Sequence, residues 1–211
     1  AVSGGTSTLT NLIIGFFNGM ASGATVVISQ FYGAKDEDKV KKSLHTAIAL
    51  SLLFGLVISV FGYLLTNPML RLMATPDDIF PLASTYLHIY FIGATGLVVF
   101  NMTSGVLRAF GDSKHPLWFL ILGALLNIVL DIIFIAVLKR GVRGAAEATV
   151  ISQAVAALAT LIFLATRKGL EKMEVKRMAT MNRIILKKML AIGLPGGIQS
   201  VMYNISNMII H

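Results

Sequence analysis

The chain has 211 residues, of which 55% are hydrophobic and only 13% are charged. Soluble globular domains contain roughly a quarter charged residues, so this composition excludes an ordinary soluble domain. The 18 lysines and arginines outnumber the 10 acidic residues, but they fall in short gaps between long apolar runs. That arrangement suits anionic lipid headgroups, so we expect membrane lipid and no nucleic acid as partners. The absence of cysteine excludes disulfides and cysteine-based metal sites.

Six apolar runs are long enough to cross a membrane, which takes roughly 20 mostly apolar residues. They predict spanning helices at about residues 7–33, 43–66, 79–107, 117–138, 144–166 and 185–211. Turn-forming pairs such as Asn67-Pro68 and His115-Pro116 lie between the runs. The expected fold is all-α, a polytopic transmembrane helix bundle. Because the chain starts without methionine and stops at His211 inside an apolar run, we expect a fragment lacking material at both ends.

The basic residues are distributed unevenly over the five gaps between these helices. Fourteen of the 18 lie in the first, third and fifth gaps. Because cytoplasmic loops are enriched in lysine and arginine, these odd gaps are predicted to face the cytoplasm. The fifth gap is the longest and most charged, which indicates a solvated linker between one helix bundle and the start of a second.

Polar residues inside the spans carry the functional signal, because an intramembrane carboxylate is costly and marks a functional site by default. Asp131 is the only acidic residue well inside a span, and Asn127 lies one turn earlier on the same face. At about 1.5 Å per residue, the helices bring polar groups to two matching depths in the outer half of the bilayer. The shallower level, roughly 10 Å deep, holds Asp131, Thr149 and Tyr86. The deeper level, roughly 16 Å deep, holds Asn127, Gln153 and Tyr90, with Asn18 of the first helix at about the same depth.

Two interpretations of this cluster stay open. In the first, it lines a cavity open to the outside, and proton exchange at Asp131 changes its hydrogen bonds with Asn127, Thr149 and Tyr86 and biases the helix arrangement. In the second, the same groups only hold the helices together. Glu147 lies nearer the surface and is expected to pair with Arg140 or Arg143.

Small residues and one proline predict how two helices pack. Gly15, Gly19 and Gly23 recur every four residues on the first helix, a stripe that lets another helix approach closely. Pro195, flanked by glycines, is expected to break or kink the sixth helix.

No catalytic or metal-binding motif is apparent. The four histidines, at positions 45, 88, 115 and 211, lack metal-ligand spacing, and the sequence contains no nucleophile motif or phosphate loop. The sequence therefore predicts no enzyme, no metal site and no organic cofactor.

Five short motifs occur in the order found in one transporter family. They are Gln30, Gly33, Ala34 and Asp36; Arg108 to Asp112 with Pro116; Asn127, Asp131 and Phe134; Gly141, Gly144 to Ala146, Ala148, Thr149 and Gln153; and Gly193 to Pro195. Together they resemble the multidrug and toxic compound extrusion (MATE) family over essentially the whole chain.

The resemblance implies a twelve-helix protein with two six-helix lobes, of which this chain holds family helices two to seven. Residues 1–168 then belong to the first lobe, 169–184 to a cytoplasmic linker, and 185–211 to the first helix of the second lobe. Family members reside in the plasma membrane and export cationic or amphiphilic compounds in exchange for protons or sodium ions by alternating access. A full-length member is expected to be monomeric, and this fragment alone is not expected to transport.

The family's proton-responsive aspartate falls on Asp131 and its polar partners on Asn127 and Thr149. Tyr86 and Gln153 match less directly, and Gln153, Asn18 and Tyr90 are expected to line the substrate cavity. Three alternatives remain: a lipid-linked precursor flippase of the same superfamily, an intramembrane enzyme, and a scaffold in which Asp131 only holds helices together.

Overall fold

The fold is described from a computed structural model that covers residues 2–167 and 181–210. Side chains are described at residues 15, 19–167, 181–203 and 206. The Asn18 side chain and residues 169–180 of the predicted linker therefore lie outside the described part of the chain.

Six helices and one π-helical segment make up the described chain. The helices are α1 (Val2–Gly33), α2 (Glu37–Leu72), α3 (Phe80–Ala109), α4 (Lys114–Asp131), α5 (Gly141–Thr166) and α6 (Arg183–Ile210), and the π segment Ile132–Val137 continues α4. Each helix overlaps one predicted span, so the all-helical prediction is confirmed. Among the described residues, five helices are long and apolar enough to cross a membrane: Glu37–Leu72, Phe80–Ala109, Lys114–Val137, Gly141–Thr166 and Arg183–Tyr203.

Two prolines lie inside helices rather than interrupting them. Helix α2 continues through Pro68 to Leu72, and α6 is continuous through Pro195. The predicted turn at Asn67-Pro68 is therefore wrong, and so is a break at Pro195, while a kink at Pro195 stays a prediction. A proline removes the donor for the carbonyl one turn earlier and its ring crowds that carbonyl, which a helix can accommodate without ending. Because α2 has 36 residues, about 54 Å, its outer turns extend beyond a hydrocarbon layer of about 30 Å, where water can satisfy that carbonyl.

Helix α1 packs most extensively against α6, along a seam of glycines. A Cβ atom built on Gly19 would lie 2.2 Å from the Gly197 nitrogen, and one on Gly23 would lie 2.5 Å from the Gly193 nitrogen. The two backbones therefore touch, and only glycine fits at these positions. The predicted packing role of Gly19 and Gly23 is confirmed, with the glycines of α6 as the partner surface.

Helix α3 is the central helix of the remaining bundle, in contact with α1, α2 and α5. The main core joins α1, α2, α3, α5 and α6 around buried residues such as Met20, Leu44, Val106, Leu164 and Met189. Helix α4 is different, since it packs mainly on α5 and buries only Pro116. Because α4 touches α3 so little, a gap is left between α3, α4 and α5.

Candidate functional site

That gap is a cavity of about 280 Å³ that crosses the middle of three helices. Its lining consists of Leu97, Phe100 and Asn101 of α3, Leu120, Gly123, Ala124 and Asn127 of α4, and Thr149, Ser152, Gln153 and Ala156 of α5. Three of the sequence-predicted residues, Asn127, Thr149 and Gln153, thus share one cavity. Sequence reasoning missed Asn101 and Ser152, although their polar side chains inside apolar runs are the same kind of signal.

The polar groups of the cavity are held in place by their own helices. Thr149 Oγ1 donates to the Ala145 carbonyl at 3.0 Å, so it can accept from the Asn127 Nδ2, which lies 3.5 Å away on α4. Asn101 Nδ2 donates to the Leu97 carbonyl at 3.0 Å. Within the described part of the chain, the Gln153 amide makes no hydrogen bond. The cavity therefore presents free amide and hydroxyl oxygens to an occupant.

Asp131 lies one turn beyond Asn127, at the end of α4, and its carboxylate is incompletely satisfied. Its Oδ1 is buried and has no hydrogen-bond partner among the described residues. Leaving a buried acceptor unpaired is costly, and most such groups in proteins are paired. The position therefore calls for a proton, a cation or a donor that the described residues do not supply.

Tyr86 of α3 lies within electrostatic range of this carboxylate, and Tyr90 lies one helical turn further along α3, beside Tyr86. The ring of Tyr86 stacks on that of Tyr90 with centroids 6.2 Å apart and planes 14° from parallel, and Tyr90 is buried. Asp131, Tyr86 and Tyr90 thus form a second group next to the cavity rather than part of its lining. Of the seven predicted residues, all but Asn18 have described side chains.

The π-helical segment begins directly after Asp131. The Leu138 N–H donates to the Ile133 carbonyl and the Arg140 N–H to the Phe134 carbonyl, each at 2.9 Å. These bonds join residues five and six positions apart in the sequence, whereas a regular α-helix joins residues four apart. Such segments are often found at functional sites. The residues Ile132–Val137 are as apolar as any span, so no sequence signal distinguishes this segment from ordinary α-helix.

An ion cluster lies between the π segment and the start of α5, beyond Asp131 along the chain. Glu147 accepts from Arg143 Nε at 2.9 Å and also contacts Arg140 Nη1. The Arg140 guanidinium lies over the Phe134 ring, 5.8 Å from its centroid. The predicted pairing of Glu147 is confirmed, and it involves both arginines rather than one.

A second ion cluster joins the opposite ends of these helices. Asp112, in the turn after α3, accepts from Arg167 Nη2 at 2.6 Å and from His115 Nδ1 at 2.7 Å. Both basic side chains also contact the Phe163 ring of α5. Burial raises the pKa of the Asp112 carboxyl, but hydrogen bonds from His115 and the charges of His115 and Arg167 outweigh it and hold the pKa below its usual value. The sequence placed Asp112 in a motif without indicating these partners.

Three comparisons with known proteins, by family model, by sequence and by structure, point to the same family. The family model described as MatE matches residues 1–133. The chain is 38% identical over 195 residues to the "Probable multidrug resistance protein YpnP" of Bacillus subtilis (strain 168), covering 92% of this chain and 43% of that protein. A solved inward-facing "multidrug resistance MATE family transporter of the MOP superfamily" superposes with a TM-score of 0.88 at 30% identity, covering 97% of this chain and 46% of that one.

An outward-facing structure described in the same words superposes equally well. Its TM-score is 0.88 at 30% identity, covering 95% of this chain and 45% of that one. The chain thus spans slightly less than half the length of the proteins it matches.

Proposed function

This chain belongs to the MatE family, and on that premise we propose that the complete protein carrying it is a secondary active antiporter. It exports cationic or amphiphilic compounds in exchange for protons or sodium ions. The described helices and the family make it a multi-pass membrane protein, and we place it in the plasma membrane as a monomer.

The observation that carries this proposal is the buried Oδ1 of Asp131, unpaired among the described residues, one turn from a cavity whose mostly apolar lining carries several amides and hydroxyls. A carboxylate in hydrocarbon is stabilised by a proton or a bound cation, and either one neutralises it. A cationic substrate and a coupling cation would then compete for the same negative charge. That competition is the physical basis of exchange, because loading one releases the other.

The residues around Asp131 have different proposed roles, either in binding the coupling ion or in contacting the substrate. Asn127 lies one turn before Asp131 on α4, and Thr149 lies on the neighbouring helix α5 in contact with Asn127. Their oxygens can share a proton or a sodium ion with Asp131. The Tyr86 hydroxyl lies close enough to interact electrostatically with the Asp131 carboxylate. Gln153 lines the cavity and its amide makes no hydrogen bond within the described chain, so it provides polar surface for an amphiphilic substrate, while the buried Tyr90 stacks on Tyr86 outside the lining. These roles refine the coupling and cavity assignments made from sequence.

Two observations support export of cations by alternating access. Among the described residues, the cavity lining contains amide, hydroxyl and apolar groups but no lysine or arginine, which favours a cationic or neutral occupant over the anionic pyrophosphate of a lipid-linked precursor. The chain also superposes equally well on an inward-facing and an outward-facing relative, as expected for a part that moves largely as a rigid body.

The test uses the complete protein expressed in cells that lack their own drug pumps. Efflux of a fluorescent cationic dye is measured for wild type, Asp131→Asn and the matched control Asp78→Asn, at equal membrane abundance. Asp78 is exposed in the turn before α3, so its neutralisation removes the same charge outside the site. We expect efflux to be lost only with Asp131→Asn. Equal efflux from all three proteins would assign Asp131 a purely structural role, and no efflux from any would favour a flippase or a narrow-specificity exporter.

A further inference from the structure

An open groove of about 490 Å³ lies beside the first turns of α6. It shares no lining residue with the cavity between α3, α4 and α5. Its lining is Arg183, Ile184, Lys187, Lys188 and Ala191. Arg183 and Lys187 are one helical turn apart, as are Ile184 and Lys188, so these residues share one side of the helix. The groove therefore combines three positive charges with an aliphatic floor.

The orientation of this face is set by the packing of α6. The Asn182 side chain accepts from the backbone N–H groups of Ile184 and Ile185 at 3.1 and 3.2 Å, and the Asn182 N–H donates to Thr46 Oγ1 of α2 at 3.0 Å. Ile185 and Met189 are buried in the core on the opposite side. With the helix anchored in this way, Ile184, Lys187 and Ala191 are exposed in the described chain.

The three cations of the groove are not neutralised by any described carboxylate. Only some of the other described basic residues have such partners: Lys39, Lys42, Arg140, Arg143 and Arg167 each contact an aspartate or glutamate. Lys188 instead lies over the Phe31 ring, with Nζ 5.3 Å from its centroid. An aromatic face positions an ammonium group but leaves its charge uncompensated.

The groove lies where headgroups meet a span. Helix α6 is apolar enough to cross a membrane from Arg183 onward, and the three cations fall within about 8 Å of its start along the axis. The distribution of basic residues puts this end on the cytoplasmic side. Basic pockets at the cytoplasmic end of spans are suited to anionic lipid headgroups.

We propose that this groove is a binding site for an anionic phospholipid of the cytoplasmic leaflet. The phosphate lies between Arg183, Lys187 and Lys188, and the upper acyl chain contacts Ile184 and Ala191. A lipid fits better than a soluble anion because the floor is aliphatic and continues into the span. This site is independent of the proposed transport function and would exist in a scaffold as well.

The test uses the complete protein purified in detergent and titrated with phosphatidylglycerol or phosphatidylcholine, with bound lipid counted by native mass spectrometry. We expect wild type to retain phosphatidylglycerol preferentially. The double variant Arg183→Gln/Lys187→Gln should bind it roughly 25-fold more weakly, about fivefold for each cation.

The matched control is Arg108→Gln/Lys114→Gln, which removes two exposed cations from the same predicted side at the ends of α3 and α4. It should change binding less than twofold, roughly the effect of diffuse attraction alone. Equal weakening by both double variants, or no preference for phosphatidylglycerol in wild type, would overturn the proposal. Displacement of the lipid by millimolar inorganic phosphate would reassign the groove to a soluble anion.

A second variant guards against misfolding of the first. Ala191→Glu adds a negative charge to the floor of the groove at an exposed position and removes no existing contact. It should also weaken phosphatidylglycerol binding severalfold while leaving phosphatidylcholine binding unchanged. Unchanged phosphatidylglycerol binding in a well-folded Ala191→Glu protein contradicts the site.

Discussion

The Arg167 guanidinium, just past the end of α5, lies 2.6 Å from the carboxylate of Asp112, 55 residues earlier in the turn between α3 and α4. The contact ties the ends of three helices together on the side opposite Asp131. The Asp112 side chain is only 10% exposed and that of Arg167 22%, so water screens the pair weakly.

Asp112→Asn should therefore destabilise the fold by about 2 kcal/mol, because it removes the charge from hydrogen bonds with Arg167 and His115. Since the folded-state pKa of Asp112 lies below its usual 3.8, the pair stabilises the protein above that value, and this stability is lost as the pH falls through the folded-state pKa. Thermal unfolding of wild type and variant should differ at pH 6 and converge once the pH falls below the folded-state pKa of Asp112. Asp38→Asn, which breaks only the exposed pair with Lys42, should change little at any pH.

Gly23→Ala should disturb the α1–α6 seam, because the added methyl would lie 2.5 Å from the Gly193 backbone, which cannot yield as a side chain can. Overpacking of this kind costs about 1–3 kcal/mol. The measurement is the apparent melting temperature of the purified protein. Gly33→Ala is the matched control, since nothing lies within 4 Å of the methyl it would add. Equal melting temperatures for the two variants would contradict the seam.

Thr103 and Thr160 share a buried hydrogen bond of 2.9 Å between α3 and α5. In membrane proteins such bonds contribute about 0.6 kcal/mol on average, so each valine variant should cost a modest amount. The double variant should cost less than the sum, because the second substitution finds the bond already lost. A double-mutant cycle on unfolding free energies measures this coupling. Strict additivity would show that the contact contributes nothing.

Asp131→Asn should stabilise the fold while it abolishes transport. The substitution replaces a partly buried carboxylate, whose buried Oδ1 lacks a described partner, with a neutral amide. Removing a partly buried, unsatisfied acidic group is expected to raise the apparent melting temperature by a few degrees. If Asp131 only held helices together, the same change would lower it. Melting curves and dye efflux on one preparation therefore separate the scaffold interpretation from the transporter.

The orientation predicted from basic residues is testable with single cysteines, because this chain contains none. Lys114→Cys and Lys139→Cys place thiols in exposed turns at opposite ends of α4 and its π segment. In intact cells a membrane-impermeant maleimide should label position 139 and spare position 114. Any cysteine in the rest of the complete protein is replaced first. The reverse labelling pattern would invert the predicted topology and place the Asp131 end on the cytoplasmic side.

Much of the architecture followed from composition and periodicity alone. Long apolar runs with few charges can only be satisfied as spanning helices, because a backbone in lipid must make its hydrogen bonds internally. The same reasoning singled out Asp131, Asn127 and Thr149, since a polar group inside an apolar run is visible without knowing its neighbours. The small-residue stripe of α1 was also predicted from the sequence, but its packing partner, the glycines of α6, was not.

What sequence reasoning left open depends on contacts between residues distant in the chain. Three features depend on how the helices pack against one another in three dimensions. They are the contact of Gly23 with Gly193, the ion pair of Asp112 with Arg167, and the cavity between α3, α4 and α5. Local pattern specifies which face of a helix is apolar, but many packings satisfy the same pattern, and shape complementarity selects among them. The π segment after Asp131 is a case in point, because no residue in it signals the change from α-helical to π-helical hydrogen bonding.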